Sequence, residues 1–527
     1  MAAAAGPLAW GATFLILGQL LTKLLTFVSN QLLVGSISPE VMGVVAVFEF
    51  YVSFALFFCR ESERLTIQRA TGSSEGVIRQ KIVNFAYVPL SISVPLCIGG
   101  YYIVKDTNVL NTSFFVPLRS WGILLLVILI TLELAVEPLY ALTQYALDFE
   151  ARSTIESIAV FAKCFVTFAC VTWSKSYISD NQRGWAVLSF LLGQLAYALV
   201  TVVGYMRRFN FRVSRPAKVT ENKKVFLFDP SLTKLYFTLF FQMLFKLVLT
   251  EGDKIMMGYL FDVSQQGTYA VISNYGSMIA RIVFLPVEEM LRNLFTKVFA
   301  AETPSAKTAF TTMENLLAFY MYFSILLLLG GTFNGEFLLR ILLGRSAAWR
   351  SSELFALFPQ YILYLPFMAF NGILEAFQTS ILSDRQIKVY SLFMLFLTFI
   401  SFLVLIVLVK QWGWGLTGLI VANITSMTLR IIYCSFTYVR FARKHSVKTS
   451  LATLFRRTAS PIGYSVFAYV LQSQLLGSHT TSFQEFFISA CICFTCLLVF
   501  LMNERRTIED TFVNKLRRNR GMKVKDE

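Results

Sequence analysis

Charge is scarce in this chain. Asp, Glu, Lys and Arg make up only 15% of its 527 residues, against the roughly 25% usual in soluble domains. Set beside 56% hydrophobic residues, that shortage excludes a soluble globular protein. Histidine is scarcer still: His445 and His479 stand alone, in different loops. No H-E-x-x-H, G-x-S-x-G or P-loop pattern occurs. A membrane-embedded glycosyltransferase would need a metal or carboxylate cluster on an ordered aqueous loop, and the connections here are short. The chain is therefore expected not to be an enzyme, and to use no cofactor and no metal. No basic residue occurs from Met1 to Thr22. That removes the charged start of a cleavable signal, so the first apolar stretch reads as a transmembrane helix. The eight cysteines lie in or at the ends of apolar segments and imply no disulfide framework. Cys491-x-Cys493-x-x-Cys496 has ligand-like spacing, but residues two apart on a helix face different ways and no histidine is near. Small apolar filler is the better reading.

What the chain has instead is a succession of apolar runs long enough to cross a bilayer. Segmentation by these runs and by turn signals gives fourteen helices, at about 9–35, 39–59, 82–104, 114–140, 153–174, 184–206, 231–260, 267–287, 310–333, 354–382, 388–409, 414–440, 459–476 and 484–502. The expected fold class is an all-α polytopic membrane protein. Residues 1–206 form an N-terminal six-helix bundle, 207–230 a basic linker and 231–440 a second six-helix bundle. Two extra helices in 441–502 and a basic tail, 503–527, complete it. The formal charge of +16 could suggest nucleic acid. Its distribution argues otherwise, because the basic residues cluster in alternate connections, Arg60 to Lys81, Arg207 to Lys224, Arg440 to Arg457 and Arg505 to Lys525. With the N-terminus in the cytoplasm, roughly 30 Lys and Arg fall on cytosolic connections and roughly 8 on the other side, the positive-inside pattern. An even helix number places both termini in the cytosol. Asn111-Thr112-Ser113 is then a glycosylation acceptor on a lumenal loop, with Asn111 as its target.

The few charges inside apolar segments carry the functional reading, since an ionisable group at that depth is costly unless paired or hydrated. The plainest case is Lys246 with Thr250-Glu251-Gly252-Asp253-Lys254, in the seventh helix. Shifting the sequence by 223 residues aligns Gln19 with Gln242, Lys23 with Lys246, Asn30 with Asp253 and Gly35 with Gly258, without a gap. Both sets follow the helical period. Six helices per half preserve orientation, so the duplication implies a parallel repeat with a central cleft. Lys23 and Lys246, joined by Arg60, Arg64 and Arg281, would suit an anionic substrate, and arginine suits phosphate oxygens in particular. Glu251, Asp253, Lys254 and Glu288 would organise those cations. Asn274, Ser277, Arg281 and Glu288 form one stripe on the eighth helix. Gln19, Asn30, Asn274, Asn371 and Glu375 could also face the cavity. The alternative is internal pairing: Glu251 and Lys254 are spaced for an i,i+3 pair, and Glu288-Glu289 could hold Arg281 or Arg292. Glu133 and Glu137-Pro138 close the fourth helix, while Glu156 and Lys163 share a face of the fifth.

These segments resemble those of the Rft family. The resemblance rests on Leu249-Thr250-Glu251-Gly252-Asp253-Lys254, Asn274-Tyr275-Gly276-Ser277-Met278-Ile279-Ala280-Arg281, Pro286-Val287-Glu288-Glu289, Asn371-Gly372-Ile373-Leu374-Glu375-Ala376-Phe377 and Val421-Ala422-Asn423. Cys59-Arg60-Glu61 with Arg64, and Glu133 with Glu137-Pro138, fit as well. The resemblance implies a fold like that of MATE transporters and the bacterial lipid II flippase. It also implies a place in N-glycosylation at the endoplasmic reticulum, with a dolichyl-diphosphate-linked heptasaccharide as the partner, moved between leaflets or handled by an accessory protein that assists other pathway proteins. An ion-coupled MATE-type exporter is the weaker alternative: no acid occurs between Met1 and Ser38, and Lys23 stands there instead. Lys523 and Lys525, fifth and third from the end, resemble a K-x-K-x-x retrieval signal.

Overall fold

A computed structural model describes residues 26, 28–29, 31–104, 109–146, 148–178, 180–212, 214–221, 224–300, 306–344, 346–350, 352–382, 384–444 and 451–505. The helices are α1 Pro39–Ile67, α2 Glu75–Ala86, α3 Val88–Val104, α4 Arg119–Ala135, α5 Glu137–Tyr145, α6 Phe149–Tyr177 and α7 Gln182–Arg208. After a two-stranded hairpin, β1 Val219–Glu221 and β2 Lys224–Phe226, come α8 Pro230–Leu260, α9 Val263–Ile279, α10 Leu285–Ala300, α11 Ala306–Leu343 and the short α12 Ala347–Arg350. The remainder are α13 Leu354–Ile381, α14 Asp384–Ile406, α15 Gly415–Lys444, α16 Leu451–Leu476 and α17 Phe483–Asn503. Among the described residues, eleven helices are long and apolar enough to cross a membrane. Of the first expected helix, at 9–35, most lies outside the described residues.

Sequence chemistry sets where these helices begin. Ser38, Asp148, Asp229 and Ser482 each cap a helix by accepting a backbone N–H of its first turn, and Pro39 and Pro230 occupy early positions where no N–H is needed. Thr481 and Ser482 with Glu485 make a reciprocal cap, the Glu485 carboxylate accepting the Thr481 N–H at 2.6 Å. Several helices outrun their apolar windows. α1 continues through Arg60, Glu63 and Arg64 to Ile67, eight residues beyond the expected end at 59. Two expected single helices are broken in two. The 82–104 segment divides around Tyr87, before Pro89, and the 114–140 segment divides at Val136, before Pro138.

The chain forms two compact units, Met1–Val271 with Ser346–Ser352, and Ile272–Arg345 with Glu353–Glu527. This boundary differs from the division at 207–230 drawn by the duplication, because α8 packs along α1 within the first unit. Phe58 meets Phe240 edge-on at 5.1 Å in that seam. Close approach extends to the start of α9: a Cβ on Gly43 would overlap the Val263 carbonyl, and one on Gly267 the Pro39 carbonyl. Trp349 of α12, fully buried, donates to the carbonyls of Val34 at 2.8 Å and Ile37 at 2.9 Å.

Part of the expected linker docks on α2 and on Tyr87, which follows it. Asn84 of α2 donates to the carbonyls of Ala217 and Leu227 and accepts the Ala217 N–H. Tyr87 reaches the Ser214 carbonyl. Lys81 is held between Glu221 and Asp229, each at 2.6 Å. In the second unit α11, α13 and α15 pack successively, and α16 and α17 cover α11 through Tyr322, Leu329, Ala468, Cys496 and Phe500. Cys491 is exposed and Cys496 buried, so that cysteine cluster does face different ways.

Candidate functional site

In the first unit the intramembrane charges form a ladder. Arg60 and Arg64 stand one turn apart on α1, and Glu133 and Glu137 face them, one at the end of α4 and the other opening α5. Arg64 forks onto both Glu137 oxygens, with Nη2 3.0 Å from Oε2, and its guanidinium lies 3.8 Å above the Tyr140 ring. Arg152 approaches the same ring at 5.1 Å. Arg60 is held less firmly. Among the described residues its one polar contact, Nη1 to Glu133 Oε2, is 3.5 Å long, and Gln194 already donates to the other oxygen at 3.0 Å. About a quarter of the Arg60 side chain is exposed (26%), while Glu133 and Glu137 are almost entirely buried. The Val136 break before Pro138 puts Glu137 in the first turn of α5, where the helix N-terminus favours an anion.

This geometry separates two roles. A desolvated, bidentate Arg–carboxylate pair is costly to break, so Arg64 and Glu137 hold α1 to α5. The Arg60 contact is longer and its side chain about a quarter exposed, so it is the weaker of the two. Glu63, which the sequence pattern does not single out, lies between these arginines in sequence and is fully buried; among the described residues neither of its oxygens has a hydrogen-bond partner. The matching spacing of four within each pair of charges puts each pair on one helix face but does not say that the two faces meet. Lys163 pairs with Glu49 at 3.1 Å, and Glu156 with Arg152 at 3.3 Å, so the shared face of 156 and 163 serves two different neighbours.

On α8, Glu251 and Lys254 form the expected i,i+3 pair at 2.6 Å. Asp253 accepts the Lys254 backbone N–H at 2.8 Å. The helix carrying Lys246 is described but that side chain is not. Gln19, Lys23, Asn30, Lys523 and Lys525 lie outside the described residues. Asn111 is exposed, its amide oxygen accepting from Arg119 at 3.1 Å.

In the second unit the expected four-residue stripe is divided. Arg281 folds back along its own helix, donating to the Asn274 carbonyl at 3.2 Å and side-chain oxygen at 3.1 Å, and to the Ser277 carbonyl at 3.4 Å. Ala280–Phe284 is a π-helical turn. Its wider winding rotates everything beyond it by roughly a quarter turn. Glu288 therefore leaves the Arg281 side and packs against Gly372 on α13, where a Cβ would overlap its carboxylate. Asn371 and Glu375 do meet, Nδ2 to Oε2 at 3.2 Å.

A many-spanned membrane protein with paired charges between its helices is the class that fold and site define. Its fold is similar to that of the lipid II flippase MurJ in an inward closed conformation, with a TM-score of 0.65 at 14% identity, covering 94% of this chain and 99% of that one. The family model described as Rft protein matches residues 8–514, and the chain belongs to that family. Among its relatives, the Candida albicans protein named "Man(5)GlcNAc(2)-PP-dolichol translocation protein RFT1" is 35% identical over 95% of this chain and 94% of its own. The Saccharomyces cerevisiae protein of the same name is 32% identical over 96% and 95%.

Proposed function

We propose that this protein translocates a dolichyl-diphosphate-linked Man5GlcNAc2 glycolipid across the endoplasmic-reticulum membrane, in service of N-glycosylation. The observation that carries the reading is the loosely held Arg60 beside the firmly held Arg64. A diphosphate can replace Glu133 on Arg60 without disturbing the fork on Glu137. Full-length similarity to relatives whose names specify that substrate supports the same choice. Lys23 and Lys246 would add positive charge at matching depth, and the lipid tail would remain in the bilayer. Glu251, Asp253 and Lys254 would hold the local charge balance on α8.

The direct test uses purified protein in liposomes with a labelled dolichyl-diphosphate oligosaccharide. Wild type should move the label above empty vesicles, and Arg60→Ala should slow it while leaving the protein folded. Binding without movement would instead favour the accessory reading, in which the protein presents its glycolipid to other pathway proteins. Cross-linking to those proteins would then be the next measurement. In the same reading both termini are cytosolic, Lys523 and Lys525 act as a retrieval signal, and Asn111 is glycosylated in the lumen. Expression in cells should give a glycosidase-sensitive mass shift that Asn111→Gln abolishes; no shift in wild type would refute this placement of the loop.

A further inference from the structure

The turn that ends α7 carries a backbone cost that the fold does not offset. Asn210 and Phe211 both lie in the left-handed region, with φ of 50° and 57°. Helices commonly end on a left-handed glycine or asparagine, which accounts for Asn210. A bulky phenylalanine in that conformation is a genuine outlier, and such residues persist where something else compensates. Packing inside the protein does not, because Phe211 is 65% exposed. The turn itself is well formed. The Phe211 N–H donates to the Met206 carbonyl at 2.7 Å, Asn210 to Arg207 at 3.1 Å and Arg212 to Phe209 at 3.0 Å. These bonds gather Arg207, Phe211 and Arg212 into one tight turn, and all three are exposed.

The place of this turn along the chain says what surrounds it. α7 has the length and hydropathy of a membrane-crossing helix, and Phe211 follows its last residue, Arg208, by three. Leu227 and Phe228 are likewise exposed, just before α8 opens at Pro230. Aromatic rings at the ends of membrane helices lie at the level of the lipid headgroups. The cations here are also left over from the internal pairing. Asp148 takes Arg208 at 2.7 Å, and both hairpin carboxylates, Glu221 and Asp229, close on the buried Lys81. Among the described residues Arg207, Arg212, Arg215 and Lys218 make no ion pair, and all four are exposed. Docking on α2 and Tyr87 employs the backbone instead. The Ser214 carbonyl accepts from Tyr87 and the Arg215 carbonyl from Gln80 Nε2, each at 2.9 Å, while the Arg215 side chain stays exposed.

We propose that this turn is a docking surface for anionic phospholipid of the adjoining leaflet, with Arg207, Arg212 and Arg215 on the headgroup and Phe211 in the interface beside them. Arginine matches phosphate oxygens, and a basic cluster next to a membrane helix draws anionic lipid. Transfer of the ring out of water offsets the left-handed backbone, so lipid rather than internal packing sets this turn. Bound lipid would in turn fix the end of α7 and the segment docked on α2, a role separate from handling the glycolipid and measurable without it.

The test follows thermal unfolding of the full-length protein in detergent micelles while dioctanoyl phosphatidylserine replaces dioctanoyl phosphatidylcholine at constant total lipid. Wild type should show a saturable rise in Tm that shrinks as sodium chloride is added, because salt screens exposed charge. Arg212→Gln with Arg215→Gln should raise the phosphatidylserine midpoint about fivefold for each charge removed. Phe211→Gly separates ring from backbone. It relieves the left-handed strain, so its Tm in phosphatidylcholine should exceed that of wild type, yet it should lose much of the further rise with phosphatidylserine. A wild-type Tm indifferent to the exchange of lipids would overturn the surface, as would an undiminished response in the double arginine variant. An equal rise with soluble glycerophosphoserine would overturn the lipid assignment in favour of a free phosphate ester. If Phe211→Gly gains equally in both lipids, the ring has no part in docking. Glycolipid transport does not enter this readout, so its failure leaves the translocation reading standing.

Discussion

At the residue scale the ladder on α1 is a comparison of two arginines, each facing a glutamate, with different grips. Removing Arg64 leaves Glu137, 1% exposed, as an uncompensated buried charge. Breaking a buried pair from one side costs about 3–5 kcal/mol. Arg64→Ala should therefore lower the thermal midpoint sharply, while Arg64→Met with Glu137→Met, removing both charges, should recover much of it. Arg60→Ala loses one long contact that is partly hydrated, worth about 1 kcal/mol. Its midpoint should barely move, and its effect should appear in glycolipid binding or transport. If the two alanine variants unfold at the same temperature, the division of roles is wrong. The individual charges were legible in the sequence, because each stands out in an apolar run. Their partners were not: 73 residues separate each arginine from its glutamate, and helical periodicity orders only neighbours along one helix.

At the element scale, helix identity was legible and helix ends were not. Apolar windows locate the membrane-crossing part of a helix, whereas α1 continues past its window because Arg60, Glu63 and Arg64 remain inside the protein. The π turn at 280–284 has no hydropathy signature, so the Arg281 and Glu288 stripe was drawn on the wrong winding. The docked hairpin is the other element hidden from periodicity, since a basic, proline-bearing stretch reads as a linker. Lys81 holds it. Hydrogen bonding to Lys81 and to the Ser73 N–H keeps the Glu221 carboxyl below its usual range. For Asp229, burial pushes upward, and hydrogen bonds from Lys81 and Ser231 outweigh it, leaving that carboxyl low as well. A carboxyl whose folded value lies below its unfolded one gives stability that is present above the unfolded value, about 4, and is lost as pH falls through the folded value. Lys81→Met should thus be less stable than wild type at pH 7, and the gap between their Tm values should close as pH drops below about 4. A gap independent of pH would mean that Lys81 contributes packing alone.

At the scale of the whole chain, composition gave the class and the order of helices, since scarce charge and recurrent apolar runs permit little else. It left open how the last two helices are used. They read as an addition to two six-helix halves, yet α16 and α17 are joined to α11 by polar contacts at two levels. Arg457 of α16 forks onto Glu504 at the end of α17, and reaches Asn315 of α11 at 2.9 Å, while Tyr322 donates to Glu504 at 3.0 Å. Deeper in the apolar region, Ser489 of α17 accepts from Asn334 of α11 at 2.7 Å and from Gln472 of α16. All three of these residues are buried, with Ser489 and Gln472 at 0% exposure. Lipid supplies no hydrophobic drive between helices, so such contacts and close packing must hold them together. Loss of α16 and α17 would take the Ser489 hydroxyl from Asn334 and bare the α11 surface around Tyr322 and Leu329. A chain truncated after Lys444 should therefore aggregate or lose its cooperative melt in detergent. Ser489→Ala is the finer instrument. It removes one hydroxyl that accepts from two buried amides and leaves them only the carbonyls of Gly330, at 2.8 Å, and Leu329, at 3.4 Å, which predicts a loss of about 1–3 kcal/mol. Ser489→Ala combined with Asn334→Leu and Gln472→Leu, which leaves no under-satisfied amide, should be more stable than the single variant. Were the single variant the more stable of the two, the amides would be finding other partners and apolar packing alone would hold the last two helices.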